Sequence, residues 1–199
     1  MHSRQILIVY GTRYGQTEKV ARRIAEIMLA RGENAAILDA DRMPRELVFT
    51  AYDGVVIGAS VIGGRHQRSV RRFVLSQRDA LDSMPCAFFS VSASAASPDA
   101  KGRADAQRCL DEFLRDTGWR PSMTQLVAGA LKFTKYNPLL RWIMKQISKR
   151  HFGPTDTSRD HELTDWADVQ LFADRFLTLV RRREEAFAHA SHFPAGSAG

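Results

Sequence analysis

The sequence predicts an α/β fold: a doubly wound, five-stranded parallel sheet with helices on both faces and a long insert before the last helix. Three observations carry this expectation. Short, wholly apolar runs alternate along the chain with amphipathic segments of helical period, the pattern of strands covered on both sides by helices. There are five such runs, and helical segments follow all of them except the second. The loop that follows the first run is built from Gly and Thr, as a ligand-binding turn at the carboxyl end of a central strand would be. With 199 residues and 44% hydrophobic content, the chain is long enough for one domain with a full core.

The elements are expected in this order. Residues 6–10 form a buried strand. Residues 17–30 form a helix with Val20, Ile24 and Ile27 on one face, closed by Gly32. Residues 35–38 and 55–58 are the second and third strands, with a helix over 69–75 after the latter. Residues 87–91 form the fourth strand, and a helix over 105–116 turns Leu110, Phe113 and Leu114 inward. Residues 123–131 supply the fifth strand. Thr164 or Asp165 caps the last helix, in which Trp166, Val169, Ala173, Phe176 and Val180 recur at helical spacing. Residues 1–184 are expected to form a single domain with an insert at 132–163. Residues 185–199, ending HASHFPAGSAG, have the composition of a disordered tail.

Composition removes several classes. No apolar run reaches the length of a membrane span, and the apolar stretch near the N-terminus is too short for a secretory signal. Cys86 and Cys109 have neither metal-ligand spacing nor a disulfide framework. They read as buried or half-buried thiols of a reducing compartment. The formal net charge is +7, and residues 131–150, LKFTKYNPLLRWIMKQISKR, hold six Lys or Arg and no acid. A local basic patch on a nearly balanced domain calls for a local anionic partner: nucleic acid, an anionic membrane face or a carboxylate ligand.

The loop at 10–18 reads Tyr-Gly-Thr-Arg-Tyr-Gly-Gln-Thr-Glu. Thr12 and Thr17 offer hydroxyls, Gly15 lets the backbone come close, and the following helix presents free N–H groups at its positive end. Arg13, Tyr14 and Gln16 complete the loop. It lacks the Gly-Lys-Ser/Thr ending of a nucleoside triphosphate loop and the GxGxxG of a dinucleotide fold. It suits one phosphate held by neutral donors, although a well-capped turn without a ligand uses the same residues. Two small-residue loops fall on the same sheet edge, one through Ala59, Ser60, Val61, Ile62 and Gly63, the other through Ser90, Val91, Ser92, Ala93 and Ser94. Together they would accommodate a flavin mononucleotide lying on edge. A phospho-acceptor receiver domain shares the sheet order but needs carboxylates at the ends of its first and third strands. Here those ends are Tyr10-Gly11 and Gly58-Ala59.

These residues carry a resemblance. GTRYGQTE resembles the FMN phosphate loop of the flavodoxins. Over about residues 5–180 the chain resembles the flavodoxin-like, menaquinone-dependent protoporphyrinogen IX dehydrogenases of bacteria. The matching blocks are Thr-Arg-Tyr-Gly-Gln-Thr at 12–17, Val-Ile-Gly-Ala-Ser at 56–60, Met-Pro-Cys-Ala-Phe-Phe-Ser-Val at 84–91, Trp119-Arg120-Pro121, Ala128-Gly129-Ala130-Leu131, Thr155-Asp156-Thr157 and Thr164-Asp165-Trp166. The resemblance implies a flavodoxin-like fold and FMN as cofactor. It implies oxidation of protoporphyrinogen IX to protoporphyrin IX in haem synthesis, with menaquinone or another respiratory quinone as acceptor. By position, Thr12 to Thr17 would hold the FMN phosphate, and the loops at 59–63 and 90–94 would border the flavin ring. A flavodoxin-type electron carrier or a general quinone reductase is the alternative.

The basic insert then acquires a role. From Pro138 onward, Leu139, Leu140, Ile143, Met144 and Ile147 fall on one helical face and Arg141, Lys145 and Lys149 on the other, with Trp142 at the boundary and Phe133 and Tyr136 preceding. That is the pattern of a helix lying on an anionic membrane surface. The expected location is therefore cytoplasmic, peripherally attached to the inner face of the cell membrane, with no nucleic-acid partner. Arg65, Lys132 and Lys135 are candidates for the substrate propionates, and His66 is the one histidine beside the second flavin loop. The flavin carries the redox chemistry, and no catalytic acid or base can be named from the sequence.

Overall fold

The computed structural model describes residues 3–135, 137–150 and 156–190. Tyr136, Thr155 and the tail 191–199 lie outside the described residues. In chain order the elements are β1 (Gln5–Gly11), α1 (Gln16–Ala30), β2 (Asn34–Asp39), β3 (Gly54–Ile62), β4 (Arg65–His66), α2 (Arg68–Ser76), α3 (Arg78–Asp82), β5 (Cys86–Ser92), α4 (Ala100–Thr117), β6 (Met123–Ala128), β7 (Ala130–Leu131), α5 (Pro138–Arg150), β8 (His161–Glu162) and α6 (Trp166–Ala190).

The main sheet has the order β2-β1-β3-β5-β6, every pair parallel. The chain leaves β1 for β2 on one side and returns for β3 on the other, so the topological switch point lies between β1 and β3. Side-chain alternation explains why the strands are apolar throughout. Ile6, Ile8 and Val56 point into a core shared with α1 and α6, through Val20, Ile24, Met28, Phe172 and Phe176. Their neighbours Leu7, Val9, Val55 and Ile57 point into a second core with α2 and α4, through Val70, Phe73, Leu110 and Phe113. Each fully buried Leu, Ile or Phe contributes about 1.5–3 kcal/mol, so a strand with both faces covered has no room for polar residues.

The structure differs from the sequence expectation in five places. The third strand does not stop at Gly58. It runs to Ile62 and folds back through Gly63 and Gly64 into antiparallel β4. Both glycines have positive φ, 57° and 77°, which a two-residue type I′ hairpin turn requires. The expected fifth strand breaks at Gly129. β6 stays in the main sheet, and β7 pairs antiparallel with β8 in a separate two-stranded sheet. α4 begins earlier than expected, because Asp99 caps it by accepting from Gly102 N–H at 2.6 Å. α3 had no periodic signal. α6 continues to Ala190, past the expected domain boundary at 184.

Candidate functional site

The phosphate loop sits between β1 and α1 at the carboxyl edge of the sheet. Gly15, at the N-cap of α1, has φ 90° and supplies no capping side chain, so the first-turn amides of α1 are not capped from within the helix. Thr12 Oγ1 accepts from Gly15 N–H at 3.0 Å and tightens the turn. Thr17 is fully buried, and its hydroxyl has no protein partner. Gln16 Oε1 is likewise buried and unpartnered, while its amide nitrogen donates to Thr164 Oγ1 at 2.9 Å. An unsatisfied buried hydroxyl costs roughly 1–3 kcal/mol. An acceptor-rich anion at this helix end would take up both the Thr17 hydroxyl and the α1 amides. The donor set fits a phosphate.

The β3–β4 hairpin and the end of β5 complete the edge. Ala59 pairs with Gly11 on one side and Ser90 on the other. The side chains of Ala59 and Val91 belong to the two cores, and their backbones are paired within the sheet. Ser90 and Ser92 are buried, and Ser60, Val61, Ala93 and Ser94 are half-buried. Ile62 and Gly63 form the exposed tip. His66, half-buried, hydrogen bonds through Nε2 to Ser90 Oγ at 2.8 Å and lies against Phe88 and Phe113, with ring centroids at 5.4 and 4.9 Å. Burial among these rings pushes its pKa down to about 4, so the imidazole is neutral at physiological pH. Gln67, which the sequence reading did not single out, joins two loops. Its amide lies 2.7 Å from the Ser60 hydroxyl. Assigned by its hydrogen-bond surroundings, with the oxygen facing the donors, it accepts from Arg13 N–H at 2.9 Å and from the Ser60 hydroxyl at 2.7 Å, and its nitrogen donates to Ser60 O at 3.3 Å. The overlooked signal was Gly63-Gly64, which marks a hairpin and returns the next residues to the sheet edge.

The start of the insert packs against this edge. Leu131 and Phe133 are buried with Tyr14 of the phosphate loop, Ala93 of the loop after β5, and Leu163. Thr164 Oγ1 donates to Ala128 O at 2.6 Å and Lys19 pairs with Glu162, so the strand leading into α6 is fastened to the phosphate loop and α1. The candidate cations divide. Lys132 is 3.8 Å from Asp160, whose carboxyl also accepts from Thr134 N and Oγ1 at 3.0 and 2.8 Å. Partial burial works against ionisation of Asp160, but these hydrogen bonds and the cations of Lys132 and Lys135 outweigh it and lower its pKa. Arg141 donates to Phe133 O at 2.9 Å. Lys132 and Arg141 therefore shape the insert, whereas Arg65 and Lys135 are exposed at the rim.

On α5 the exposed side chains are Leu139 (69% accessible), Trp142 (61%), Lys145 and Lys149. Leu139 and Trp142 are thus as open to solvent as the lysines, while Arg141 turns back to the Phe133 carbonyl. The side chains of Leu140, Ile143, Met144 and Ile147 lie outside those described.

The flavodoxin domain model matches residues 7–158, most of the chain. The chain belongs to the flavodoxin-domain family. Within it, the chain is 35% identical to the protoporphyrinogen IX dehydrogenase (quinone) of Escherichia coli (strain K12), over 84% of this chain and 91% of that one. It is 32% identical to the Leishmania major protein of the same name, over 89% of this chain and 76% of that one. Among solved structures, the Flv1 flavodiiron core of Synechocystis sp. PCC6803 covers 91% of this chain with 37% of its own length, at 16% identity and a TM-score of 0.52, a likeness of fold. In this flavodoxin-domain chain the three loops expected from sequence converge on one edge, and the insert's first residues join them.

Proposed function

We propose that this protein is an FMN-dependent protoporphyrinogen IX dehydrogenase that passes electrons to menaquinone or another respiratory quinone in haem synthesis. The observation that carries the reading is the 35% identity to the Escherichia coli enzyme across nearly its whole length. The buried, unpartnered Thr17 hydroxyl beside the open end of α1 supports FMN as the cofactor. Bound FMN would accept a hydride equivalent from the substrate and release the electrons to the quinone.

The chain's own residues bind, orient and shield. Thr12 and Gly15 set the turn, and Thr17 with the amides of α1 holds the phosphate. The segments at 59–63 and 90–94 border the ring. Phe133 and Tyr14 close one side of the edge and exclude water there. His66 is neutral and engaged with Ser90, so it orients the site rather than pairing with a propionate. Arg65 and Lys135, exposed at the rim, are the cations for the propionates. The exposed Leu139, Trp142, Lys145 and Lys149 of α5 favour attachment to an anionic membrane on the cytoplasmic side, where the quinone is dissolved. Among the described residues no helix is long and apolar enough to cross a membrane. The working unit is a single domain that carries the insert at 132–163 and extends past 184 through α6.

The test is porphyrin fluorescence in the absence of oxygen. Protein reconstituted with FMN is given protoporphyrinogen IX with and without a menaquinone analogue. Quinone-dependent growth above the protein-free control is expected. A flat trace from protein shown to hold FMN overturns the dehydrogenase reading in favour of an electron carrier or quinone reductase.

A further inference from the structure

We infer that the consecutive residues His66 and Gln67 are positioning residues that tie the phosphate loop and the β3–β4 hairpin to the end of β5 at the cofactor edge. The inference deepens the FMN reading and rests on it for its functional consequence. The three segments belong to different strands: 12–15 follows β1, the hairpin continues β3, and 90–94 is the end of β5 with the two residues after it. Hydrogen bonds within the parallel sheet end at Gly11–Ala59 and Ser60–Val91, so beyond that level something else must set the loop spacing.

The dipeptide does so from a single anchor. β4 pairs His66 with Val61, and Gln67 is the N-cap of α2, which fixes the backbone on both sides. From there Gln67 holds Arg13 N–H of the first loop and the Ser60 hydroxyl of the second. His66 holds the hydroxyl of Ser90, which is still within β5 and paired with Ala59, so this bond anchors the dipeptide to the sheet while Gln67 reaches the loops. The approach is close: a Cβ on Gly11 would lie 3.1 Å from Gln67 Cβ and Cγ and 2.5 Å from Val70 Cγ2. The glycine before Thr12 thus lets Gln67 reach the phosphate loop. Because the Arg13 N–H is taken by Gln67, the phosphate is left to the hydroxyls and the α1 amides, and the register of the loop over them depends on this one side chain.

The experiment compares wild type with Gln67→Met, which keeps the length and removes the hydrogen bonds, and His66→Phe, which keeps the packing on Phe88 and Phe113 and removes the bond to Ser90. Two readouts are taken: hydrogen exchange at the Arg13 amide without FMN, and FMN affinity by quenching of flavin fluorescence. Gln67→Met is expected to speed Arg13 exchange at least about tenfold while amides in the middle of α1 keep their protection. It is expected to weaken FMN at least about tenfold with the apoprotein melting temperature unchanged. His66→Phe is expected to weaken FMN about threefold to tenfold and to alter the visible spectrum of the bound flavin, with Arg13 protection intact. Unchanged Arg13 exchange in Gln67→Met overturns the clamp, whether or not FMN binds. So does an FMN loss matched by an equal loss of apoprotein stability, which marks a merely structural role. A wild-type protein that binds no FMN, yet loses Arg13 protection on substitution, sinks the cofactor reading and leaves the clamp standing.

Discussion

Thr17, buried, and His66, half-buried, are polar side chains at the same sheet edge, and their hydrogen bonding makes them behave oppositely. Thr17 has a buried hydroxyl with no protein partner, so replacing it by the isosteric Val removes a desolvation cost and leaves the packing intact. Thr17→Val is expected to leave the apoprotein as stable as wild type or more stable by about 1 kcal/mol, while FMN affinity falls about tenfold or more. Thermal melts and FMN titration check the pair of effects, and a melting temperature that fell would contradict the first. His66 is partnered and neutral, with its pKa lowered from 6.5 to about 4 by burial. The groups in contact are Ser90, Phe88 and Phe113, none of them charged at neutral pH. A folded-state pKa below the unfolded one means that the stabilisation is complete above pH about 6.5 and is lost as pH falls through about 4. At about 1.4 kcal/mol per pH unit the loss reaches about 3 kcal/mol. Denaturant melts from pH 7 to 4 should show this loss in wild type and not in His66→Phe, and the His66 ring resonances should titrate near 4.

At the scale of elements, what was legible in the sequence followed from periodicity, and what was hidden depended on partners distant in the chain. The five strand runs and the helices at 17–30 and 69–75 carry their own apolar patterns, and α1 and α2 lie where those patterns put them. The turn at 12–17 was legible because Gly and Thr mark a tight strand-to-helix connection, whether or not a ligand fills it. The hairpin, although Gly63-Gly64 announces it, was hidden because a run of small residues also reads as a loop. The break of the fifth strand was hidden because the partner of β7 is β8, about thirty residues onward. The base of the insert was invisible for the same reason: Asp160 stands far from Lys132 and Thr134 in sequence, yet it receives three contacts from them. This lets the insert be tested as an element. Asp160→Ala is expected to cost about 1 kcal/mol, since it removes two hydrogen bonds to Thr134 whose donors then turn to water. It should also raise exchange at the Thr134 amide without weakening β1 or β3. Exchange at Thr134 that stayed slow would show that Asp160 does not hold the insert.

The charge of the whole molecule looks different once ion pairs are drawn. By sequence, the basic excess sits in the insert. In three dimensions Arg4, Arg22, Arg23, Arg31, Arg78 and Arg181 are all paired with carboxylates. Arg42, Arg45, Arg65, Arg68, Arg71 and Arg72 are exposed and, among the described residues, form no ion pair. Three of these six lie on α2, whose nine residues include no acid. The molecule therefore carries two uncompensated basic surfaces, an arginine-rich one around α2 and the α5 face of Lys145 and Lys149 flanking Leu139 and Trp142. Only the second also exposes a large aromatic. The arginine surface exposes aliphatics singly, Leu75 and Ile62 among them, so it attracts an anionic bilayer mainly through screened charge, whereas the interfacial Trp142 with Leu139 adds a larger salt-insensitive component. Each Lys or Arg near the surface is worth about 1 kcal/mol. Reversing both lysines, Lys145→Glu with Lys149→Glu, is accordingly expected to lower binding to anionic vesicles by at least about thirtyfold at low salt and leave a weak remainder, part of which persists as salt is raised because Leu139 and Trp142 are intact. Replacing Leu139 and Trp142 by Ala should leave binding that is largely salt-sensitive. Co-sedimentation across a salt series distinguishes these outcomes. Complete loss in the lysine variant at low salt would assign membrane attachment to α5 alone, and unchanged binding would remove α5 from the membrane contact.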